Sequence, residues 1–282
     1  MRLSFVSDVH GNIDGLAEVA RSAEQLVVLG DLVDYVDYHE PSRGILGRIF
    51  GAERVLPFVE LRSAGRFPEL RQYNNDLWLS LDDPIGVLSE TVSELYRSVL
   101  AAIGPDVLLT LGNVDVAEAW NAVAGDELPY LDSEVVEIAG HRLGFVAGGA
   151  GRDVPGGGDA AGVRERATIA DGSPRVWRPL VRPAAEYRAA VAAVGAVDIL
   201  CSHLPPDLIP LRYDTVPARL ESSGPGLLEA IDEHQPTLSV FGHVHQPLAR
   251  RQRRGRTECV NVGHFQRFPR AFEVDLTRLP RR

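Results

Sequence analysis

Ser7-Asp8-Val9-His10-Gly11-Asn12, residues 7–12, is the stretch from which the rest of the chain is read. The apolar segment Leu3–Ser7 runs into it and reads as a short buried strand ending at Asp8. Asn12 is suited to cap a helix over about 13–23, where Leu16, Val19 and Ala20 fall at helical spacing. Gln25–Leu29 reads as a second buried strand and closes on Gly30-Asp31. Strand, helix and strand in that order predict a β-α-β unit with parallel strands.

Outward from this unit the same ending recurs. Asp106–Leu111 leads to Gly112-Asn113, Val197–Cys201 to Ser202-His203, and Thr237–Phe241 to Gly242-His243-Val244-His245. Helices are predicted over about 85–103, with Leu88, Val92, Leu95 and Val99 on one face, and over about 116–124, 183–194 and 227–234. Val135–Ile138 and Leu143–Ala147 flank Gly140-His141, which reads as a hairpin turn with His141 exposed. Closing strands are expected near Pro247–Arg250, Thr257–Asn261 and Ala271–Asp275. With no long linker, residues 1–282 read as one domain. Residues of about 35–104 are predicted to form a largely helical insert, a cap at the crevice edge or else a packing surface.

Five strand ends carry polar side chains, and sites in open α/β sheets form outside the carboxyl ends of strands. Asp8, Asp31 and Asn113 offer oxygen; His10, His203, His243 and His245 offer imidazole nitrogen. Residues i and i+2 of an extended segment point to one side, so Asp8/His10 and His243/His245 can each grip one cluster. Seven donors exceed what one ion takes while keeping a site open, and they suit two ions if a carboxylate bridges. Mixed nitrogen and oxygen donors without thiolate suit Mn²⁺, placed first, and also Fe, Zn, Ni or Co.

The five blocks SDVHGN at 7–12, LGDLVD at 29–34, LGNVD at 111–115, SH at 202–203 and FGHVH at 241–245 resemble the calcineurin-like metallophosphoesterase superfamily. The family pattern is D-x-H, G-D, G-N-[H], H and G-H-x-H. The resemblance implies an α/β fold, a four-layer α/β/β/α sandwich. It implies that Asp8, His10 and His245 hold a first divalent ion, that Asp31 bridges, and that Asn113, His203 and His243 complete a second. Water or hydroxide between the ions would attack phosphorus, with Asp31, Asn113, His203 and Asp115 carrying the catalytic part.

One position departs from the pattern. Val114 stands where many members have a histidine that serves as acid or binds the phosphoryl group. Asp115 follows it, and a carboxylate beside two cations is expected to have a lowered pKa and to be a poor acid. The arrangement is similar to a subgroup of small bacterial and archaeal phosphodiesterases that also includes a scaffold protein. A phosphodiesterase with a good leaving group is therefore expected over a broad monoesterase. A metal-binding scaffold and a nucleotide pyrophosphate hydrolase are the alternatives.

The remaining features bound the partners. The chain has 282 residues and a formal net charge of −10, which disfavours nonspecific nucleic-acid binding. No apolar run approaches membrane-helix length and no signal peptide is read, so a cytoplasmic phosphate-ester hydrolase is expected, with nucleotides among its substrates and homo-oligomerisation open. All basic residues are arginine, which excludes lysine chemistry. Cys201 and Cys259 read as buried apolar groups. His264, in Asn261-Val262-Gly263-His264, is a candidate behind the ligands or beside the substrate. His39 reads as a surface residue with substrate contact as its alternative, and Asp34 as a group behind the ligands or a helix cap. The glycine-rich run Gly148–Gly158 reads as a mobile loop, in which Arg152 is a candidate phosphate contact. Arg250, Arg251, Arg253, Arg254 and Arg256 read as a solvated hairpin tip, with a polyanion contact as the rival.

Overall fold

Strands with apolar residues on both faces need cover on both sides, and this chain supplies it with two sheets and two helical layers. The structure is a computed structural model that describes residues 1–151, 176–213 and 223–280. The first sheet holds β1 (Arg2–Val6), β2 (Gln25–Val28), β3 (Leu108–Leu109) and β12 (Phe272–Asp275), in the order β12-β1-β2-β3. β1, β2 and β3 are parallel, and β12 runs antiparallel along β1, with Leu3 opposite Val274. The second sheet holds β4 (Glu134–Ile138), β5 (His141–Val146), β8 (Ile199–Ser202), β9 (Leu238–Phe241), β10 (Arg251–Arg254) and β11 (Thr257–Asn261), in the order β10-β11-β9-β8-β5-β4. Its four middle strands are parallel and its two edges antiparallel. A short pair, β6 (Gly149–Ala150) and β7 (Val181–Arg182), stands apart.

The alternation of side chains sorts the core into three layers. Leu3, Phe5, Val27 and Leu29 meet Leu143, Phe145, Ile199, Cys201 and Val240 between the sheets. On the outer face of the first sheet, Val6, Leu26 and Val28 pack under α1 (Ile13–Ser22), α5 (Pro84–Ile103) and α6 (Ala117–Ala124). On the outer face of the second, Val146, Leu200, Phe241 and Cys259 pack under α7 (Ala184–Val194) and α8 (Leu227–His234). This is the α/β/β/α sandwich. Both cysteines are free and buried within it, as their sequence settings predicted.

The segment 35–104 is helical, as expected: α2 (Gly44–Phe50), α3 (Ala52–Ser63), α4 (Phe67–Leu79) and α5. Its helices share the buried cluster of the helical layer. The Leu88, Val92, Leu95 and Val99 face of α5 is buried in the helical layer, and Ile45, Val55, Leu70 and Trp78 extend that same cluster. Asp34 does not cap a helix with its side chain; its carbonyl and that of Tyr35 accept the amides of Ile45 and Leu46 at the start of α2.

Three further expectations change. The turn of the β4–β5 hairpin is Ala139-Gly140, with φ of 50° and 77°, the paired positive values of a tight hairpin. His141 therefore opens β5 and is buried, its Nε2 facing the Leu279 carbonyl at 3.2 Å. The strand expected at Pro247–Arg250 lies one step later, at Arg251–Arg254, because the turn at Gly255-Arg256 pairs Arg254 with Thr257 and sets the register. Pro247 makes only an isolated bridge with Tyr213. The strand expected over 106–111 shortens to Leu108–Leu109. Among the described residues no helix is long and apolar enough to cross a membrane.

Gly30 has φ of +92°, and a Cβ there would overlap the backbone of Gly112. Gly195 also has positive φ, 61°, but a Cβ there meets nothing. Gly30→Ala is expected to lower stability by about 3 kcal/mol, and Gly195→Ala by about 1 kcal/mol. Urea denaturation of the two variants checks the difference.

Candidate metal centre

The loops after β1 and β2 are zipped together by backbone hydrogen bonds. Asp8 N donates to Gly30 O at 3.0 Å, His10 N to Asp31 O at 2.9 Å and Gly11 N to Leu32 O at 2.9 Å. A third loop joins them, Phe265 N and Gln266 N donating to Ser7 O and Asp8 O, while Gly242 N donates to His203 O and ties the loops after β8 and β9 to each other. The price is backbone strain. Asp8, His10, Asp31 and His243 all have positive φ, between 44° and 66°. Such values are uncommon outside glycine and cluster where structure is held for function.

This interlock brings together all seven residues read from the strand ends. His203 donates Nδ1–H to Leu29 O at 2.9 Å, which leaves Nε2 facing Asn113 Oδ1 at 2.9 Å and Asp31 Oδ2 at 3.2 Å. His10 Nδ1 lies 3.1 Å from Val33 O, and its Nε2 is 3.1 Å from His245 Nε2 and 3.8 Å from Asp8 Oδ1. His245 Nε2 is 3.1 Å from the same Asp8 oxygen. His243 N donates to both Asp8 oxygens, and Tyr213 Oη–H donates to His243 O.

These contacts set acceptor against acceptor. With Nδ1 committed to a carbonyl, a neutral imidazole presents a lone pair at Nε2, and here it points at carboxylate and amide oxygens. Only a cation, proton or metal, reconciles such a cluster. Burial opposes charge on His10, yet Asp8, Asp34 and Asp31 push its pKa up to about 10. Burial opposes charge on His203 as well, and Asp31 pushes it up to about 9. Burial raises Asp8 and Asp31, but the surrounding histidines bring both below the usual carboxylate range. Burial and then His203 hold His243 down at about 4, so it stays a neutral donor. The donor set fits divalent metal: Asp8/His10/Asp31, Asp31/His203/His243 and His10/His245/His264 each place ligand atoms within 4.8 Å of one another.

His264 joins these groups from outside the seven. Its ring stacks on His245 with centroids 3.8 Å apart and meets His10 edge-on at 5.8 Å. Gln266 fixes its tautomer. The Gln266 Nε2 donates to His10 O and Asp37 Oδ2, each at 3.2 Å, so its Oε1 must accept from His264 Nε2. The His264 Nδ1 is thereby left as an acceptor. Gln266 and Asp37 give no sequence signal beyond their nearness to candidate residues.

Asp115 sits differently from what the sequence suggests. Its carboxylate is fully buried and accepts Leu32 N at 2.9 Å and Gly112 N at 2.8 Å, with Tyr96 Oη–H at 3.4 Å. Burial, then Asp31, push its pKa up to about 6 rather than down. These contacts tie the two ligand loops together. Burial also raises Asp34 to about 6, near His10. His39 is exposed, and its amide is held by Asp37 Oδ1 at 2.8 Å. Arg152 and the rest of the glycine-rich run from 152 on lie outside the described residues. The base of that run is docked, with Gly148 N donating to Leu111 O at 2.7 Å.

The model of the calcineurin-like phosphoesterase family matches residues 1–247, and the chain belongs to that family. Members of this family typically bind two metal ions. No curated protein matches. Among solved structures, the chain is similar to the protein TT1561 of Thermus thermophilus, at 14% identity and a TM-score of 0.48 over 97% of this chain and 98% of that one. A novel archaeal phosphodiesterase matches at 10% identity and a TM-score of 0.37, covering 100% and 98%. The phosphopantetheinyl hydrolase PptH from Mycobacterium tuberculosis matches at 15% identity and a TM-score of 0.40, covering 99% and 98%.

Asp115→Asn keeps the shape but can accept only one of the two backbone amides. It is expected to cost about 1–3 kcal/mol and to weaken metal retention at Asn113 and His203. Thermal denaturation with metal analysis checks this; a variant of unchanged stability that has lost only turnover would make Asp115 a catalytic residue instead.

Proposed function

We propose that this calcineurin-like phosphoesterase is a two-metal phosphodiesterase. The observation that carries the reading is the convergence of Asp8, His10, Asp31, Asn113, His203, His243 and His245 as mutually facing acceptors in one crevice. Asp8, His10 and His245 would hold one ion and Asn113, His203 and His243 the other, with Asp31 shared. When bound, the ions would polarise the phosphoryl oxygens and lower the pKa of the attacking water. Mn²⁺ heads the candidates because the donors are mixed carboxylate and imidazole.

The chain's own residues set the rest. Carbonyls of Leu29 and Val33 orient the rings of His203 and His10, so that Nε2 faces the crevice in both. His264, stacked on His245, would stand beside the first ion with Nδ1 free to accept. At position 114 the backbone amide donates to Asp31 Oδ1 at 3.0 Å, and the side chain is valine. A valine can give no proton to a departing alkoxide, so the leaving group must be a weak base. That chemistry favours activated or aryl diesters over alkyl monoesters.

After chelator treatment, adding back Mn²⁺, Fe²⁺, Zn²⁺, Ni²⁺, Co²⁺ or Mg²⁺ singly is expected to restore hydrolysis of bis-p-nitrophenyl phosphate in preference to the monoester. Asp31→Ala is expected to lose at least about 100-fold. No turnover with two ions bound would leave a metal-binding scaffold. Val114→His is expected to raise the rate on alkyl esters by about tenfold or more, with little gain on aryl esters. A folded, metal-loaded variant with no such gain would overturn the missing-acid explanation.

A further inference from the structure

The arginines read from the sequence as one solvated tip divide into two groups. On the β10–β11 hairpin, Arg254 is paired with Asp232 at 2.6 Å, Arg251 with Glu258 at 2.9 Å, and Arg256 donates to Gln235 O at 2.9 Å. Arg250 instead lines, with Arg267 and Arg270, a cleft of about 720 Å³ whose wall includes His264 and the paired Arg251. Among the described residues Arg250, Arg267 and Arg270 have no carboxylate partner. Among the described residues no acidic one lines the cleft, although the chain as a whole carries a net charge of −10. Unpaired guanidinium groups gathered in one place on an acidic protein make a local attractive field for anions.

The cleft is continuous with the metal centre through one residue. His264 lines it and also stacks on His245. Asn261 forms part of the same wall, and its Nδ2 donates to the carbonyls of Gly242 and Val244 that frame His243. The floor offers an apolar surface as well: Phe268 is 56% exposed, with the Arg267 guanidinium 5.6 Å from its ring centroid. The volume is that of a small-molecule site, about 300–1,000 Å³.

We propose that this cleft binds a second phosphate of the substrate, so that the preferred ester carries an additional phosphate on the arm extending past His264. The inference rests on the phosphodiesterase reading for its word "substrate". The anion site itself rests on the cleft alone. Planar guanidinium forks match phosphate oxygens two at a time, and Arg250, Arg267 and Arg270 bring three such forks to one cleft.

The test is calorimetry of the Mn²⁺-loaded protein with thymidine 3′,5′-bisphosphate and with thymidine 5′-phosphate. The bisphosphate is expected to bind about tenfold more tightly, and the advantage is expected to shrink with added salt. The double variant Arg267→Gln/Arg270→Gln is expected to lose it, while Arg253→Gln, on the exposed hairpin strand, keeps it. Equal affinities, or an advantage untouched in the double variant, would overturn the proposal. The p-nitrophenyl esters of the two nucleotides at the 5′-phosphate give the second readout, a lower KM for the 3′-phosphorylated ester at similar kcat. A binding advantage without cleavage of either ester would uphold the anion site and sink the phosphodiesterase reading.

Discussion

Two buried carboxylates, Asp8 and Asp31, have to be held close to one another out of water, and the rest of the molecule is arranged to keep them there. Their mutual repulsion is not relieved by solvent, since both are almost fully buried. What holds them is the run of backbone hydrogen bonds between the loops after β1 and β2. That zipper holds three ligand-bearing residues, Asp8, His10 and Asp31, in the left-handed region, at roughly 1–2 kcal/mol each. The opposing term is larger. Each large side chain fully buried between the sheets contributes about 1.5–3 kcal/mol, and Leu3, Phe5, Val27 and Leu29, on the same two strands, are all completely buried there. The strained ends are carried by the strands that anchor the inter-sheet core most firmly.

The centre is also braced from the helical side. Tyr96, on α5, accepts Val116 N at 2.7 Å and donates toward Asp115, whose carboxylate bridges the loops carrying Asp31 and Asn113. A segment that sequence length alone marks as an insertion therefore contributes a support to the ligand loops. On the opposite side Gln266 ties His264, His10 and Asp37 into one array. The two braces enter from residues that carry no metal-binding chemistry of their own.

The same division governs what can be read from the residues in order. Strand ends are legible because apolar runs followed by Asp, Asn or His are local patterns, whereas the four-layer sandwich is implied by the resemblance that those strand-end blocks carry. Braces are not legible, because Tyr96 and Gln266 act across the fold and look ordinary in sequence. His141 escapes its sequence reading because the αL position falls on Ala139, which has no special claim to it, so the turn lies one residue earlier than Gly140-His141 suggests. Pro247–Arg250 resembles a strand by its apolar content, but register there is set by the turn at Gly255-Arg256. The arginines at 250–256 form one cluster in sequence, yet the pleat and the turn send them to different neighbours, some to carboxylates and some to the cleft shared with Arg267 and Arg270.

β1 lies between β2 and β12, so strands far apart in the sequence flank it on its two sides. Local pairing can assemble β1, α1 and β2 early, but the outer edge of β1 stays open until β12 arrives and Leu3 meets Val274. The same late segment delivers Gln266 and His264 to the loop that carries Asp8 and His10. Closing so long a stretch of chain is slow compared with forming local contacts. During synthesis the acidic end of β1 therefore remains half-built until the polypeptide has been made through β12, and tight capture of a cation is deferred to the closing of that sheet.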